Sequence, residues 1–304
     1  MMKARFFYFT ILYGLLLTAV LGGVASANIV VFDNSQADND WNNPLNWFDT
    51  ATALRNLPTA ADNALVNSDG LADFFNANSA FSPSQLWVSN NLGGSINISG
   101  DFTANSGIII GLGGQSTNPA VITQTAGNVI GTGFVAVAGA AGNAPASPSV
   151  YEISGGSLST GFLNVGSFGF GTLKIDGSAA SVSVSGGTAV FGVGATLDFV
   201  LDATGVSPLT AMFTNNHLTG STLTVDGSAY TGGPATIPLV LTDGTDNPFA
   251  ITSASGFTNL NATIVQSGGD VELRLVAAIP EPGTALLSSL GLAVMFVAKP
   301  QRRK

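Results

Sequence analysis

Short apolar segments recur along the middle of the chain, and each ends at a glycine. Ile108-Ile109-Ile110-Gly111 is followed by Val135-Ala136-Val137-Ala138-Gly139, then Leu163-Asn164-Val165-Gly166 and Ala189-Val190-Phe191-Gly192. The closing glycines lie 28, 27 and 26 residues apart. A second series keeps step with the first. It runs Ile96-Asn97-Ile98-Ser99-Gly100, Ile122-Thr123-Gln124-Thr125-Ala126-Gly127, Tyr151-Glu152-Ile153-Ser154-Gly155 and Leu173-Lys174-Ile175-Asp176-Gly177. Apolar and polar residues alternate within its members, which puts the apolar side chains on one face of a strand. A period near 27 with two or three short strands per repeat is the pattern of a parallel β-solenoid. Glycine at the strand ends permits positive φ at the corners, and Asn and Asp tolerate the same corners. Four coils at ~4.8 Å make a stack about 19 Å long, whose end edges must be covered.

The flanks are read as those covers. Residues 28–80 are rich in Asn, Asp and Ala and form an N-terminal capping region; Trp41 and Trp47 are expected to plug the open end. The repeats occupy 81–195, with Ala140 to Ser149 as an insertion of turn composition. In 196–278 the texture changes. Strand-like runs at Thr196–Asp202, Ser221–Asp226, Ala235–Thr242, Ala262–Gln266 and Asp270–Val276 alternate with turn signals such as Asp226-Gly227 and Gly268-Gly269. This predicts an antiparallel, sandwich-like C-terminal cap, or irregular final coils of the solenoid. The expected fold is all-β: a short solenoid of ~27-residue coils with that cap, and helices only in the two terminal segments.

Those segments have the form of processing signals. Residues 1–27 read as a signal peptide, with Lys3 and Arg5 before an apolar run and Ala25-Ser26-Ala27 supplying small residues for signal peptidase. Residues 279–304 hold Pro280-Glu281-Pro282, an apolar run from Thr284 to Ala298, and a basic end at 299–304 that includes Arg302, Arg303 and Lys304. The run of 15 residues is shorter than the ~20 of a stable spanning helix. Flanking cations favour one orientation, with the basic cluster as the stop-transfer end. This tripartite end resembles the PEP-CTERM sorting signal of exopolysaccharide-producing bacteria. The resemblance implies an exosortase-type enzyme that recognises the tripeptide region and removes the tail, after a transient stay in the membrane. Asp40-Trp41-Asn42-Asn43-Pro44-Leu45-Asn46-Trp47, with Pro58 and Asp62 beyond it, is similar to the opening of secreted bacterial proteins with autotransporter-associated β-strand repeats, including PEP-CTERM proteins of planctomycete type. Phe48-Asp49-Thr50 stands where that pattern has Ser-x-Gly.

Composition narrows the chemistry. The 304 residues are 45% hydrophobic and 9% charged, against about a quarter charged in a typical soluble domain. Of nine cations only Arg55, Lys174 and Arg274 fall between the terminal segments, against 17 acids, so that stretch carries a net −14. Nucleic acid is therefore not an expected partner. With one His and no Cys, a Cys/His zinc site and a Cys nucleophile have no ligand or nucleophile set. His217 stands alone in a polar stretch. Asp198/Asp202, four apart, and Asp243/Asp246, three apart, are candidate carboxylate pairs for glycan hydrolysis, but residues four apart on a strand lie ~13 Å apart. The acidic run Asp33 to Asp40 offers oxygen ligands for calcium without a known calcium-loop spacing, and a solvated loop is the preferred reading. Trp41, Trp47, Trp87, Tyr151 and Tyr230 are candidates for stacking on sugars. In the solenoid only Thr123-Gln124-Thr125 has the T-x-T form that an ice surface would favour.

No catalytic, cofactor or metal residues are assigned, and no catalysis is expected. The expected role is an exported structural or adhesive protein of the cell surface or extracellular matrix. The alternative is a binder of polysaccharide, or less readily of ice, with a glycan-processing β-helix enzyme as the weakest reading.

Overall fold

A computed structural model describes residues 27–67, 74–75, 81–90, 94–112, 119–138, 148–212, 220–242, 249–267 and 269–278. Twenty-three strands follow one another along them. The first are β1 (Ile29–Phe32), β2 (Trp47–Asp49), β3 (Asn63–Val66), β4 (Phe74–Phe75) and β5 (Gln85–Asn90). Next come β6 (Gly94–Ile98), β7 (Phe102–Ala104), β8 (Gly107–Leu112), β9 (Ala120–Gln124), β10 (Asn128–Gly131), β11 (Phe134–Val137), β12 (Ser149–Ile153), β13 (Gly156–Thr160) and β14 (Leu163–Val165). The series ends with β15 (Gly171–Asp176), β16 (Ala180–Phe191), β17 (Ala195–Val200), β18 (Leu209–Met212), β19 (Thr222–Asp226), β20 (Ala235–Leu241), β21 (Ile251–Ser255), β22 (Leu260–Ser267) and β23 (Asp270–Ala277). Among the described residues the only helical piece is a 3-10 turn at Pro44–Asn46.

The strands wind into a parallel β-solenoid of about six turns with three facets. The first facet stacks β1, β3, β5, β8, β11, β14 and the end of β16. The second stacks β4, β6, β9, β12, β15, β17, β19 and β21. The third stacks β7, β10, β13, the start of β16, β18 and β20. The strands of both series lie on the observed ladders, but the first steps by 27, 28 and 26 residues (Ile110, Val137, Val165, Phe191), so by count Gly139 is one residue out of step with Gly111 and Gly166. Ile109, Ala136, Asn164 and Val190 are successive partners on the first facet. Ile96, Ile122, Tyr151 and Leu173 are successive partners on the second. Cross-coil hydrogen bonds put equivalent positions 22 residues apart at Ser84/Ser106 and 29 apart at Asn128/Ser157. The period is thus an average: the strands stay in register while the corners absorb the difference in length.

The solenoid extends beyond the expected limits at both ends. β1 pairs in parallel with β3, and β3 with β5, so 28–80 already contributes rungs as well as a cover. At the other end β17, β19 and β21 continue the second facet in parallel. The expected change at residue 195 is therefore not where the ladder ends. Among the described residues of the C-terminal region, β20, β22 and β23 form the antiparallel part. The reason is visible in β17 and β19. Thr196-Leu197-Asp198-Phe199 and Thr222-Leu223-Thr224-Val225 keep the inward/outward alternation of the earlier coils, and Gly227 follows β19 where Gly177 follows β15, while β17 runs on into Leu201 without a closing glycine. Ser149, assigned to an insertion, opens β12 and is buried.

Inside, Ile96, Ile122, Tyr151, Leu173, Leu197 and Leu223 form one buried axial row. At the N-terminal end Trp41 stacks on Phe81 at 5.0 Å and meets Trp47 edge-on at 4.2 Å. Both indoles are buried, and Trp41 also faces Phe102 of β7, so the pair fills the mouth of the solenoid as expected. Burying such rings removes on the order of 150–250 Å² each from water.

Candidate functional site

The three outer faces differ in chemistry, and this difference is the clearest functional feature. On the first facet the outward row is Leu65, Trp87, Ile109, Ala136, Asn164 and Val190. It is mostly apolar and, except for Trp87, under a tenth exposed. Trp87 is half-buried within that row, and its Nε1 donates to Gln85 Oε1 at 2.7 Å.

The second facet is half-exposed and free of register shifts between coils. One outward row reads Ser95, Val121, Val150, Thr172, Thr196 and Thr222. Its neighbour reads Asn97, Thr123, Glu152, Lys174, Asp198 and Thr224. In that row Lys174 Nζ sits 2.7 Å from Glu152 Oε1 and 3.8 Å from Asp176 Oδ2, while the Thr224 hydroxyl donates to Asp198. The Glu152 hydrogen bond raises the Lys174 pKa, with Asp176 and Asp198 adding to the effect. This cation is held charged, so it is a poor nucleophile.

The third facet is the most polar. Asp101, Asn128, Ser157 and Ser181 occupy successive coils. Asp101 Oδ1 accepts from the Asn128 backbone N–H at 2.8 Å and from its amide at 3.1 Å, and Asn128 Oδ1 accepts from the Ser157 hydroxyl at 2.8 Å. Side chains thus repeat the ladder's axial spacing of ~4.8 Å.

Most of the individual candidates are absorbed by structure. Trp41, Trp47 and Tyr151 are buried and cannot reach a sugar. Tyr151 donates to Gln124 Oε1 in the core, where burial pushes its phenol pKa up. Tyr230 is half-buried against Phe257, its hydroxyl bonded to Gly233 O. Asp198 and Asp202 serve different bonds. Asp202 accepts from the hydroxyls and backbone N–H groups of Ser178 and Thr204, which hold its carboxyl far below the usual range. A carboxylate so stabilised does not deliver a proton near neutrality.

The acidic N-terminal loop is likewise bonded from within. Arg55 grips Asp33 through both guanidinium nitrogens at 3.0 and 2.8 Å. Asn46, Asn43 and the Asp40 N–H donate to Asp38. Donors therefore occupy the oxygens a calcium ion would use, and no described group of three His, Cys, Asp or Glu is placed to hold a metal. No helix among the described residues is long and apolar enough to cross a membrane. Ala27, the last residue of the expected signal peptide, is the first described residue; Ala25, His217, Asp243, Asp246, Pro280, Glu281, Pro282, the run 284–298, Arg302, Arg303 and Lys304 lie outside the described residues.

Sequence reasoning missed the threonine row. Thr172, Thr196 and Thr222 stand in successive coils, and Thr222-Leu223-Thr224 projects two hydroxyls from one strand. The signal was present as alternation in β17 and β19, and was obscured by treating these strands as a separate cap. The chain matches no protein-family model, no curated protein and no solved structure.

Proposed function

We propose that this chain is an exported structural or adhesive protein of the cell surface or extracellular matrix, and that it works by presenting its polar facets to polysaccharide and neighbouring proteins. The observation that carries this reading is the pair of outer faces on which Ser, Thr, Asn and Asp side chains recur in axial rows, with Val121, Val150, Glu152 and Lys174 interspersed on the second facet. Such rows offer many weak, repeated hydrogen bonds instead of one concave site. A net −14 between the terminal segments favours neutral over anionic polymers. Export and sorting rest on the terminal segments. Signal peptidase would cut after Ala27, and an exosortase-type enzyme would act at Pro280-Glu281-Pro282 and remove the apolar run with its basic end. The protein is read as non-catalytic, without metal or cofactor.

A specific polysaccharide binder is the second reading, favoured by the Thr172–Thr196–Thr222 row. An ice surface is a less suitable ligand, because Glu152, Lys174 and Asp198 project charge beside that row. Two experiments separate these readings. Residues 28–278 are passed over immobilised neutral and acidic polysaccharides: retention on one of them, lost in a Thr172/Thr196/Thr222→Ala variant, supports the binder, and no retention on any leaves the scaffold. Sorting is tested with the whole chain beside a Pro280/Glu281/Pro282→Ala variant. Equal release at equal mass would remove the sorting reading.

A further inference from the structure

The aromatic residues that the sequence suggests for sugar stacking are buried or half-buried, yet two others stand in solvent. Phe170 is 64% exposed and Phe168 40%, and no other aromatic ring among the described residues is exposed. Both lie in the corner that joins β14 to β15, where the first facet turns into the second. Val193, in the same corner of the next coil, is 60% exposed. These side chains contribute little to the core, and exposed apolar groups clustered in this way mark a contact surface.

The corner is held from both sides. Phe168 N donates to Ala138 O at 3.0 Å, and Ser149 N donates to Phe170 O at 2.8 Å, both links to the preceding coil. Gly171 N donates to Gly194 O at 3.0 Å in the following coil. Pro148, Phe170 and Gly194 each stand one residue before the paired Ser149, Gly171 and Ala195, so they hold one position in three coils. Gly220 holds it in the fourth, before Ser221. A Cβ on Gly194 would lie 2.1 Å from Gly169 O, so the Gly194 backbone lies flat against the corner that carries Phe170. The Phe170 position is thus followed along the axis by two positions without side chains. Beside them run Thr172, Thr196 and Thr222, two residues on from Phe170, Gly194 and Gly220 in turn. No charge stands at these positions. The charged row of Glu152, Lys174 and Asp198 is two residues further along the strands, about 7 Å away.

From this arrangement we infer that the Phe170 corner is a docking site for a neutral polysaccharide, which runs along the solenoid axis with one sugar ring on Phe170 and the next ones over Gly194 and Gly220. The inference rests on the polysaccharide-binding reading above and names the residue that anchors it. A pyranose has a face of C–H bonds and an edge of hydroxyls. The C–H face suits the electron-rich face of an aromatic ring, and the hydroxyl edge exchanges hydrogen bonds with the Thr172, Thr196 and Thr222 row. Glycine beyond the ring lets the polymer approach the backbone closely. Coils repeat at ~4.8 Å, close to the length of one sugar unit, so each coil meets one ring. An anionic polymer suits the strip less well, because the strip offers no cation and the body around it is acidic.

The test passes the full chain, in micelles of a detergent without a sugar headgroup, over cellulose, starch, mannan and a polyuronate. Phe170→Ala, Phe170→Trp and Leu54→Ala are run beside it. Leu54 is 63% exposed in the N-terminal region and controls for unspecific apolar adsorption. The unaltered chain should be retained on at least one neutral matrix. Phe170→Ala should weaken that retention by about tenfold at an unchanged urea midpoint, while Phe170→Trp and Leu54→Ala keep it. Retention that survives Phe170→Ala but is lost in Thr172/Thr196/Thr222→Ala overturns the inference and leaves the binder reading standing. Retention on the polyuronate alone, or an equal loss in Leu54→Ala, overturns it too. No retention on any matrix overturns the inference and the binder reading together, and a sedimentation coefficient lowered by Phe170→Ala would then assign the corner to contact between copies of the chain.

Discussion

Gln124 and Tyr151 lie fully buried in a largely apolar interior, and their polar atoms are matched across coils. Tyr151 donates to Gln124 Oε1 at 2.8 Å, and Gln124 Nε2 donates to Gly127 O at 2.9 Å and Ser157 O at 3.0 Å. Two successive coils thus share one amide. Tyr151→Phe takes away one donor and leaves Gln124 Oε1 buried without it, so the urea midpoint should fall by the equivalent of about 1–3 kcal/mol. Gln124→Leu leaves the Tyr151 hydroxyl and two carbonyls without this partner and should cost more; an equal midpoint would show that the network is not stabilising. Carboxylates carry a second prediction at this scale. Asp202 is held low by Ser178 and Thr204, Asp38 by the Asn46 amide, and Asp49 by the Thr52 hydroxyl and the Ala51 N–H. Because each folded pKa lies below the unfolded value of about 4, their stabilisation is present above that pH and is lost as pH falls through the folded values. Urea midpoints should hold from pH 7 to 5 and decline below about pH 4. Asp202→Asn should flatten part of that decline; an identical slope would exclude Asp202 as a contributor.

Corners decide how closely the coils approach. Gly156 has φ +79°, and a Cβ there would lie 2.0 Å from Gly127 O in the preceding coil. Gly156→Ala therefore combines left-handed backbone strain with a contact that only movement of a coil can relieve, and a loss of about 2–4 kcal/mol is expected. Gly233, with no atom within 4 Å of its position for a Cβ, is the control, and Gly233→Ala should change the urea midpoint by under about 0.5 kcal/mol. Equal effects would mean that the corner stack is looser than the structure. The same corners explain how far the fold was legible. Glycine-closed strands such as Leu163–Gly166 announced themselves by spacing, and the glycines gave their register to within one residue, Gly139 being the one out of step. β16 did so only at its end, Ala189–Gly192: it is one strand of 12 residues that serves two facets, pairing with β13 at Ala180–Val184 and with β14 at Ala189–Phe191. Strand composition does not encode which facet a residue joins, because inward alternation looks the same on all three. The candidate surface was less legible still. Thr172, Thr196 and Thr222 are far apart in sequence and become one row only once corner lengths are known, and the burial of Tyr151 follows from the register, not from its neighbours in the chain.

At the scale of the whole molecule, each coil contacts only the coil before and the coil after, so stability is close to a sum of coil terms and interface terms. That arrangement makes a deletion possible that would destroy a globular domain. Asn128 and Ser157 are equivalent positions 29 residues apart, on neighbouring coils of the third facet. Removing residues 128–156 joins Gly127 to Ser157 and brings β13 into the place of β10, onto β7 of the preceding coil, with every inward residue still facing in. Leu158 would replace Val129 opposite Phe102, an apolar exchange in the core. The shortened chain should keep its β-type circular dichroism and its cooperative unfolding, with a lower urea midpoint because two interfaces become one. A deletion of half that length, 128–141, would bring strands of different facets together and should not fold. Trp47→Ala is the complementary case at the terminus. It removes a fully buried ring whose Nε1 is bonded to Trp41 O at 2.8 Å, and it should cost about 3–5 kcal/mol. Its consequence is also different in kind, since an unplugged end exposes Phe102 and the first interior row to other chains. If the coil deletion unfolds while Trp47→Ala is tolerated, the molecule is a single cooperative core and the nearest-neighbour account of its stability is wrong.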